Sequence, residues 1–243
     1  MGRLENKVAI ITGGAQGMGE SHARLFIEEG AKVAITDIDV EKGQALAKEL
    51  GESAIFIKQD VSSEDDWKKV IQETESAFGP INVLVNNAGV STVLSTEHSS
   101  LEDYKRILGI NQISVFLGMH YVIPSMKKAK GGSIVNISSI NGMNGGAIGY
   151  TDTKFAVRGM SKAAAKELAH YGIRVNSVHP GVINTPMVQH SEAFDQIQAM
   201  VDFIPLKRMA EPQEISNLVL FLASDESSYS TGSEFIADGG ILA

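Results

Sequence analysis

The feature that most constrains the fold of this chain is a regular alternation of short β-branched runs and longer amphipathic segments. The β-branched runs predict strands over residues 7–12, 31–37, 54–60, 82–89, 133–139, 173–180 and 234–238. Helical periodicity between them predicts helices over about 18–29, 42–50, 63–78, 101–128, 150–170 and 212–223. Near-continuous apolar strands joined by helices are typical of a parallel sheet that is covered on both faces and has right-handed crossovers.

This alternation predicts an α/β fold, a Rossmann-like doubly wound parallel sheet of about seven strands with helices on both faces. The 243 residues contain no Pro/Gly/Ser-rich linker and no long charge run, so we expect a single domain over 1–243. No apolar stretch reaches the roughly 18 residues of a membrane span. The N-terminal apolar run is too short for a signal peptide. We therefore expect a cytoplasmic protein with no membrane partner.

Composition narrows the chemistry and the partners. The chain has no cysteine, which excludes disulfides, thiolate metal sites and a cysteine nucleophile. Its formal net charge of −8 argues against a nucleic-acid partner, because such proteins present a basic face to the phosphates. A solvated acidic surface that favours solubility is the simpler interpretation of this charge. The chemistry must therefore come from oxygen and nitrogen groups or from a cofactor.

The first predicted strand leads into a glycine-rich turn, Thr12-Gly-Gly-Ala-Gln-Gly-Met-Gly19. Ligands of doubly wound sheets bind outside the carboxyl ends of the strands, where the strand order reverses. Free N–H groups at the start of the next helix can face a pyrophosphate there, and glycines permit close approach of the backbone. The spacing departs from G-x-G-x-x-G, and by itself the turn could only bend the chain.

Polar residues at the ends of the next three strands favour a dinucleotide. Asp37 can accept hydrogen bonds from the ribose hydroxyls and would repel a 2′-phosphate, which predicts NAD rather than NADP; the alternative is a residue that only ends its strand. Asp60 and Val61 lie where an adenine edge would arrive. Asn87 to Gly89 are predicted mainly to line the cofactor cleft, and Asn86 mainly to support structure.

The sharpest chemical signal is the pair Tyr150 and Lys154, four residues apart on one face of a predicted helix. A phenol has a pKa of about 10, and a nearby positive charge lowers a pKa by roughly 1 to 3 units. Lys154 would thus tune Tyr150 as a proton donor and acceptor. Tyrosine and lysine at this spacing also occur on solvated helices.

Two further residues complete the candidate catalytic group. Ser139, at the end of the fifth strand, would bring a hydroxyl to the substrate oxygen, and its neighbour Ser138 could take that place. Asn111, inside the long predicted helix 101–128, could break the helical bonding and hold a water that relays protons through Lys154. The alternative for Asn111 is a mid-helix residue that faces solvent.

Taken in order, these motifs resemble the short-chain dehydrogenase/reductase family. The resemblance covers the whole chain and rests on Thr12 to Gly19, Asp60-Val61, Asn86 to Gly89, Asn111, Ser139, Tyr150-x-x-x-Lys154 and Pro180-Gly181. It implies a catalytic tetrad of Asn111, Ser139, Tyr150 and Lys154, no metal, and a homotetramer. It also implies cofactor contacts from Gly13, Gln16, Gly17, Met18, Gly19, Asp37, Asp60, Val61, Asn87, Ala88, Gly89, Tyr150, Lys154, Pro180, Gly181, Ile183 and Thr185. One departure is the interval of eleven residues from Ser139 to Tyr150, shorter than is usual in the family.

The resemblance implies reversible hydride transfer between NAD(H) and a carbonyl or secondary alcohol. Within the family the chain looks most like bacterial hydroxysteroid and cyclic-alcohol dehydrogenases, which favours a bulky or cyclic ketone. The segment of about 186–205 has the position of a substrate lid, in which four apolar residues either line a pocket or form ordinary helix core: Met187, Phe194, Met200 and Phe203.

Two competing functions stay open at this point. The first is a 3-oxoacyl-carrier-protein reductase, for which Lys127, Lys128 and Lys130 could form a basic patch near the cleft. That subgroup generally uses NADPH, which Asp37 opposes. The second, of another class, is a non-catalytic NAD-binding sensor, which would have no need of Tyr150 and Lys154 together.

Overall fold

Seven parallel strands form one sheet in the computed structural model, which describes residues 2–91, 94–190 and 194–243. The strand order is β3-β2-β1-β4-β5-β6-β7, so the direction of winding reverses between β1 and β4. The strands are β1 (Val8–Thr12), β2 (Lys32–Asp37), β3 (Ala54–Lys58), β4 (Val83–Asn86), β5 (Gly132–Ile137), β6 (Ile173–Pro180) and β7 (Glu234–Ala237). The predicted fold class is confirmed, and each predicted strand is present with its ends shifted by a few residues.

Helices connect these strands on both faces of the sheet. They are α1 (Gly17–Glu28), α2 (Val40–Leu50), α3 (Glu64–Phe78), α4 (Leu101–Leu108), α5 (Ser114–Lys128), α6 (Tyr150–Leu168), α7 (Pro186–Gln189), α8 (Phe194–Met200) and α9 (Pro212–Ala223). The Ser63 side chain accepts a hydrogen bond from the Asp66 N–H and so caps α3. The sequence analysis missed the short α7 and α8.

The core consists of two apolar layers, one on each face of the sheet. Because successive side chains of a strand point to opposite faces, Ile11 packs in the layer beneath α1 and α9, and Ile10 packs in the layer beneath α3 and α5. Trp67 of α3 is fully buried in the second layer, and its indole N–H donates to the Val61 carbonyl at 2.8 Å. These two layers fix the positions of the carboxyl ends of β1 to β6 relative to one another.

The predicted helix over 101–128 is present as one helical segment, Leu101–Lys128, whose winding changes near its middle. Residues Gly109–Ile113 form a turn of π-helix between α4 and α5, and such turns often occur at functional sites. Within the described residues, Leu101–Lys128 is the segment whose length and composition would suffice to cross a membrane. Some of its apolar side chains pack in the layer beneath α3 and α5, and others, among them Ile113 and Phe116, are exposed.

Candidate active site

A cleft of about 720 Å³ opens at the carboxyl edge of the sheet, where the strand order reverses. The loops that follow β1, β2, β3 and β4 form most of its wall. Of the predicted cofactor residues, those that line it are Gly13, Gln16, Gly17, Met18, Asp37, Asp60, Val61, Asn87, Ala88, Gly89 and Thr185.

The glycine turn approaches the end of β4 so closely that side chains would not fit. Gly13 has a φ of 60°, and a Cβ there would lie 2.8 Å from the Ala88 Cα. A Cβ at Gly19 would lie 2.1 Å from the Gly13 carbonyl oxygen, so Gly19 serves the packing of α1 against the turn and does not line the cleft. The first N–H groups of α1 lie outside its own helical bonds, and the described Gln16 side chain does not cap them.

Thr12 and Asn87 fasten this turn to β4. The Thr12 hydroxyl accepts from the backbone N–H groups of Asn87 and Ala88, each at 3.0 Å. The Asn87 side-chain amide donates to the carbonyls of Thr12 and Gly13 at 2.9 and 3.1 Å. Asn86 is buried and donates to Asn136, which agrees with its predicted structural role. Thr12 is a supporting residue whose role sequence reasoning missed.

The Asp37 carboxylate is held at the mouth of the cleft by two backbone N–H groups. One oxygen accepts from Ala15 at 3.1 Å and the other from Asp39 at 3.0 Å. A cation that the sequence analysis did not place lies nearby, since the Lys42 ammonium donates to the Gln16 side chain at 2.8 Å and pairs with Asp39 at 3.2 Å. The carboxylate and this ammonium therefore both lie close to the glycine turn.

The remaining wall of the cleft comes from residues that were not predicted as cofactor contacts, although Met187 was predicted as a candidate pocket residue. The end of α4 and the π-helical turn contribute Lys105, Arg106, Gly109 and Ile110. Other lining residues are Ile38, Asp39, Gln59, Ser62, Val90, Pro186 and Met187. Helical periodicity predicts α4 but does not say that its last turn reaches the cleft.

The candidate catalytic side chains meet where β5 ends and α6 begins. Ser139 follows β5 and Tyr150 is the first residue of α6. The Ser139 hydroxyl accepts from the Asn141 N–H at 3.1 Å and lies near enough to the Tyr150 phenol to lower its pKa. The Lys154 ammonium lies 5.5 Å from the centre of the Tyr150 ring and donates to the Ile137 carbonyl at 2.9 Å. The shorter interval from Ser139 to Tyr150 thus still leaves the two side chains close together.

Burial shifts the pKa values of both titratable groups. It raises the pKa of the half-buried Tyr150 phenol, and the hydrogen bond from Ser139 opposes that rise. It lowers the pKa of Lys154, which is 4% exposed, to about 8. The lowering of the Tyr150 pKa by Lys154 stays a prediction, because Ser139 is the described group that lowers it in this structure.

The two neighbouring serines have different partners. The Ser138 hydroxyl donates to the backbone carbonyl of Lys154 at 2.9 Å and so attaches α6 to the end of β5. A Cβ at Gly142 would lie 2.7 Å from that hydroxyl and 2.8 Å from that carbonyl, so a glycine is required for the contact. Ser139, and not Ser138, therefore faces the phenol.

Asn111 lies in the π-helical turn and is 1% exposed, so the alternative of a solvent-facing residue is wrong. Its side chain clamps the backbone of Val90, accepting from the N–H at 2.8 Å and donating to the carbonyl at 2.9 Å. A Cβ at Gly89 would lie 3.3 Å from the Asn111 oxygen and 3.6 Å from the Lys154 ammonium. The catalytic group therefore borders the cleft at Gly89, and the proton relay through Asn111 stays a prediction.

Three predicted contacts after β6 do not line the cleft. Gly181 packs against the Asp238 backbone, where a Cβ would come within 2.7 Å of its Cα. Ile183 is buried and bridges to Ala210. Pro180 is the last residue of β6. These residues carry the chain to Thr185, which does reach the cleft.

The lid segment presents apolar side chains to solvent. Met187, Met200 and Phe203 are 48%, 53% and 84% exposed, so for these three the helix-core alternative is wrong. Met187 also lines the cleft. Phe194 is partly buried. Residues 191–193 of the predicted lid lie outside the described residues.

The basic patch of Lys127, Lys128 and Lys130 is not near the cleft, which corrects the sequence analysis. These lysines follow the end of α5 and precede β5, at the amino edge of the sheet. The Lys127 ammonium lies 3.6 Å from the centre of the Tyr171 ring, and Lys128 pairs with Glu75 at 3.0 Å. The patch therefore gives no support to a carrier protein docked at the site.

Comparison with known proteins extends the resemblance over the full chain. Residues 13–242 match a family model described as enoyl-(acyl carrier protein) reductase. The chain is 49% identical over 244 residues to a 3-alpha-(or 20-beta)-hydroxysteroid dehydrogenase of Mycobacterium tuberculosis, covering 100% of this chain and 92% of that protein. It is 45% identical over 249 residues to a cyclopentanol dehydrogenase of Comamonas sp., covering 100% of both. It is 42% identical over 248 residues to an NADP-dependent (R)-specific alcohol dehydrogenase of Lentilactobacillus kefiri, covering 99% of this chain and 98% of that protein.

Proposed function

The chain belongs to the short-chain dehydrogenase/reductase family, and from this premise we propose that it transfers hydride reversibly between NAD(H) and a bulky or cyclic ketone or secondary alcohol. The observation that carries the proposal is the proximity of Ser139 to Tyr150, beside Lys154, at the border of a cleft of about 720 Å³. A sensor that only binds a nucleotide would not require this group of side chains.

The cleft fits a nicotinamide dinucleotide. The glycine turn leaves no room for side chains at Gly13 and Gly19, and N–H groups at the start of α1 are free to face a pyrophosphate. The Asp37 carboxylate would hold the adenosine ribose, and Asp60 with Val61 the adenine. When bound, such a cofactor supplies or accepts the hydride.

The protein supplies the proton and orients the substrate oxygen. In the reduction Tyr150 donates its phenolic proton to the carbonyl oxygen, and in the oxidation it takes the proton from the hydroxyl. The Ser139 hydroxyl donates a hydrogen bond to the same oxygen and stabilises the charge that develops on it. Lys154, fixed by the Ile137 carbonyl, places a positive charge beside the phenol.

The preference for NAD is part of the proposal and rests on Asp37. A carboxylate at the mouth of the cleft repels a 2′-phosphate. Lys42, beside the glycine turn, acts in the other direction, but Asp39 pairs with it. Lys105 and Arg106 also line the cleft and are further cations that a 2′-phosphate could meet. One of the relatives is named as NADP-dependent, so the cofactor is the first variable to test.

The preference for a bulky substrate rests on the apolar side chains of the lid and on two relatives. Met187, Met200 and Phe203 expose apolar surface that a hydrophobic substrate would cover. Two relatives are named for hydroxysteroids and for cyclopentanol, which are bulky or cyclic alcohols. We extend the same substrate class to this chain.

The test is nicotinamide absorbance with the purified protein, in which NADH and NADPH are each compared against cyclic ketones, steroid ketones and a 3-oxoacyl thioester. Turnover of cyclic or steroid ketones with NADH is the expected result. Turnover of the thioester alone with NADPH would contradict both the cofactor and the substrate proposal. Tight binding of NADH with no turnover of any ketone would point to a sensor.

We also propose a cytoplasmic homotetramer. Ile113, Phe116 and Phe155 expose apolar surface on α5, on α6 and on the turn before α5, and this surface would be covered between copies of the chain. Light scattering with size-exclusion chromatography should give about four times the chain mass of 26.0 kDa. A monomeric mass would contradict the proposal without affecting the proposed reaction.

A further inference from the structure

A buried histidine lies directly behind the candidate catalytic serine. His179, near the end of β6, is fully buried. One ring nitrogen, Nδ1, lies 3.1 Å from the backbone carbonyl oxygen of Ser139. The other, Nε2, lies 2.9 Å from the Ser177 hydroxyl. The ring therefore spans from the middle of β6 to the residue that follows β5.

These partners fix the tautomer of the ring. A carbonyl oxygen can only accept, so Nδ1 must carry the proton and donate it to Ser139. The Ser177 hydroxyl then donates to Nε2. Burial lowers the pKa of His179, and the positive charges of Arg158 and Lys154 on α6 act in the same direction, whereas Glu234 on β7 acts against them. The ring is neutral in the range where the enzyme would work.

The hydrogen bond from His179 to the Ser139 carbonyl lies where it can affect the active site. The described backbone ladder between β5 and β6 ends at the bond from the Ser138 N–H to the Val178 carbonyl, one residue before Ser139. The Gly142 N–H also donates to the Ser139 carbonyl, at 2.9 Å, but Gly142 belongs to the loop that follows. The His179 side chain is what attaches the Ser139 carbonyl to the sheet. The Ser139 hydroxyl accepts from the Asn141 N–H at 3.1 Å, and Asn141 also belongs to the loop that follows.

We propose that His179 is a positioning residue, whose Nδ1–H holds the Ser139 peptide so that the Ser139 hydroxyl meets the Tyr150 phenol. The proposal rests on the proposed function, because it assumes that Ser139 and Tyr150 act on the substrate oxygen. His179 itself touches neither substrate nor cofactor. Its loss leaves the Ser139 carbonyl bonded to Gly142, so the effect falls on the orientation of the hydroxyl more than on stability.

Two isosteric variants separate the two hydrogen bonds of the ring. In His179→Asn the amide nitrogen can occupy the place of Nδ1 and donate to Ser139. In His179→Gln the longer side chain puts its amide near the place of Nε2, where it can bond only to Ser177. We expect His179→Asn to keep kcat close to the wild-type value, and His179→Gln to lower kcat by about tenfold or more, since small misplacements of catalytic groups are costly. The KM for NADH should stay unchanged in both.

The pH profile of alcohol oxidation gives a second readout that a merely structural role would not move. Tyr150 must be deprotonated to accept the hydroxyl proton, so the rate rises with pH through its pKa. The Ser139 side chain lowers that pKa. When Ser139 is displaced, the rising limb should therefore move to higher pH in His179→Gln and stay in place in His179→Asn.

The control is His22→Gln, which alters another fully buried histidine, bonded to Ser216 between α1 and α9. It should lower the melting temperature without moving the pH profile. Equal kcat values and equal pH profiles for His179→Asn and His179→Gln would overturn the proposal. A wild-type protein that reduces no ketone would instead refute the proposed function.

Discussion

Lys154 offers a prediction of stability that can be worked out from its burial. The ammonium is 4% exposed, and burial lowers its pKa from 10.5 to about 8. Below pH 8 the folded and unfolded chains both carry the proton, so the full cost of burying the charge is present. Above pH 8 the folded chain has lost a proton that the unfolded chain keeps up to its pKa of 10.5, so the free energy of unfolding rises with pH.

The magnitude follows from the width of that window. Each pH unit in which only the unfolded chain holds the proton adds about 1.4 kcal/mol to the free energy of unfolding. Between pH 8 and 9.5 the gain from Lys154 is therefore about 2 kcal/mol. Lys154→Met carries no such proton, so the wild-type protein should gain about 2 kcal/mol relative to this variant over the same range.

The assay is urea denaturation at several pH values and at one fixed protein concentration, because association of subunits also changes apparent stability. Taking the difference between wild type and Lys154→Met cancels the titration of the other groups. Lys166→Met, at an exposed position of the same helix, is the matched control. A difference between wild type and Lys154→Met that stays flat from pH 7 to 9.5 would refute the reasoning.

Three further substitutions test the site. Tyr150→Phe removes the proton donor, so turnover should fall by a factor of about 10² to 10⁴. The dissociation constant of NADH, measured by fluorescence, should stay the same. A near-normal kcat would disprove the role of Tyr150 in proton transfer. Asp37→Ala removes the charge that repels a 2′-phosphate, so the ratio of kcat/KM for NADPH to that for NADH should rise, and an unchanged ratio would show that Asp37 does not select the cofactor. Gly19→Ala places a Cβ 2.1 Å from a backbone oxygen and should cost about 1 to 3 kcal/mol of stability in thermal or urea unfolding. Its control, Gly159→Ala, adds a methyl group in open space on α6 and should be neutral or stabilising, so equal effects of the two would contradict the packing argument.

Residues whose roles depend on the strand, turn and helix around them could be predicted from the sequence. Gly13 and Gly17 lie in the turn after β1 and at the start of α1, and Asp37 is the last residue of β2. Parallel strands bring these ends to one edge of the sheet. Tyr150 and Lys154 share a helix face because of their spacing alone. For these residues local periodicity and the topology of the sheet suffice.

Residues whose roles depend on how distant elements pack could not be predicted. Arg106 reaches the cleft because α4 crosses the ends of the strands, which its own periodicity does not encode. The basic patch around Lys128 lies at the amino edge because α5 runs away from the cleft, and composition carries no such direction. The bond from His179 to Ser139 joins residues 40 positions apart, so it is visible only in the folded chain.

The reversal of strand order also makes β1 and β4 a seam between two parts of the sheet. Three residue pairs join β1 to β4, against five between β1 and β2. The contacts of Thr12 with Asn87 and Ala88 reinforce this seam at the end where the cleft opens. A ligand in the cleft would contact the loops after both β1 and β4. It would therefore stabilise the sheet across the strand pairing that has the fewest residue pairs. At about 100 times its dissociation constant it would add about 2.7 kcal/mol to the free energy of unfolding. On the proposed function, the stability of the protein would therefore rise with the concentration of the nucleotide.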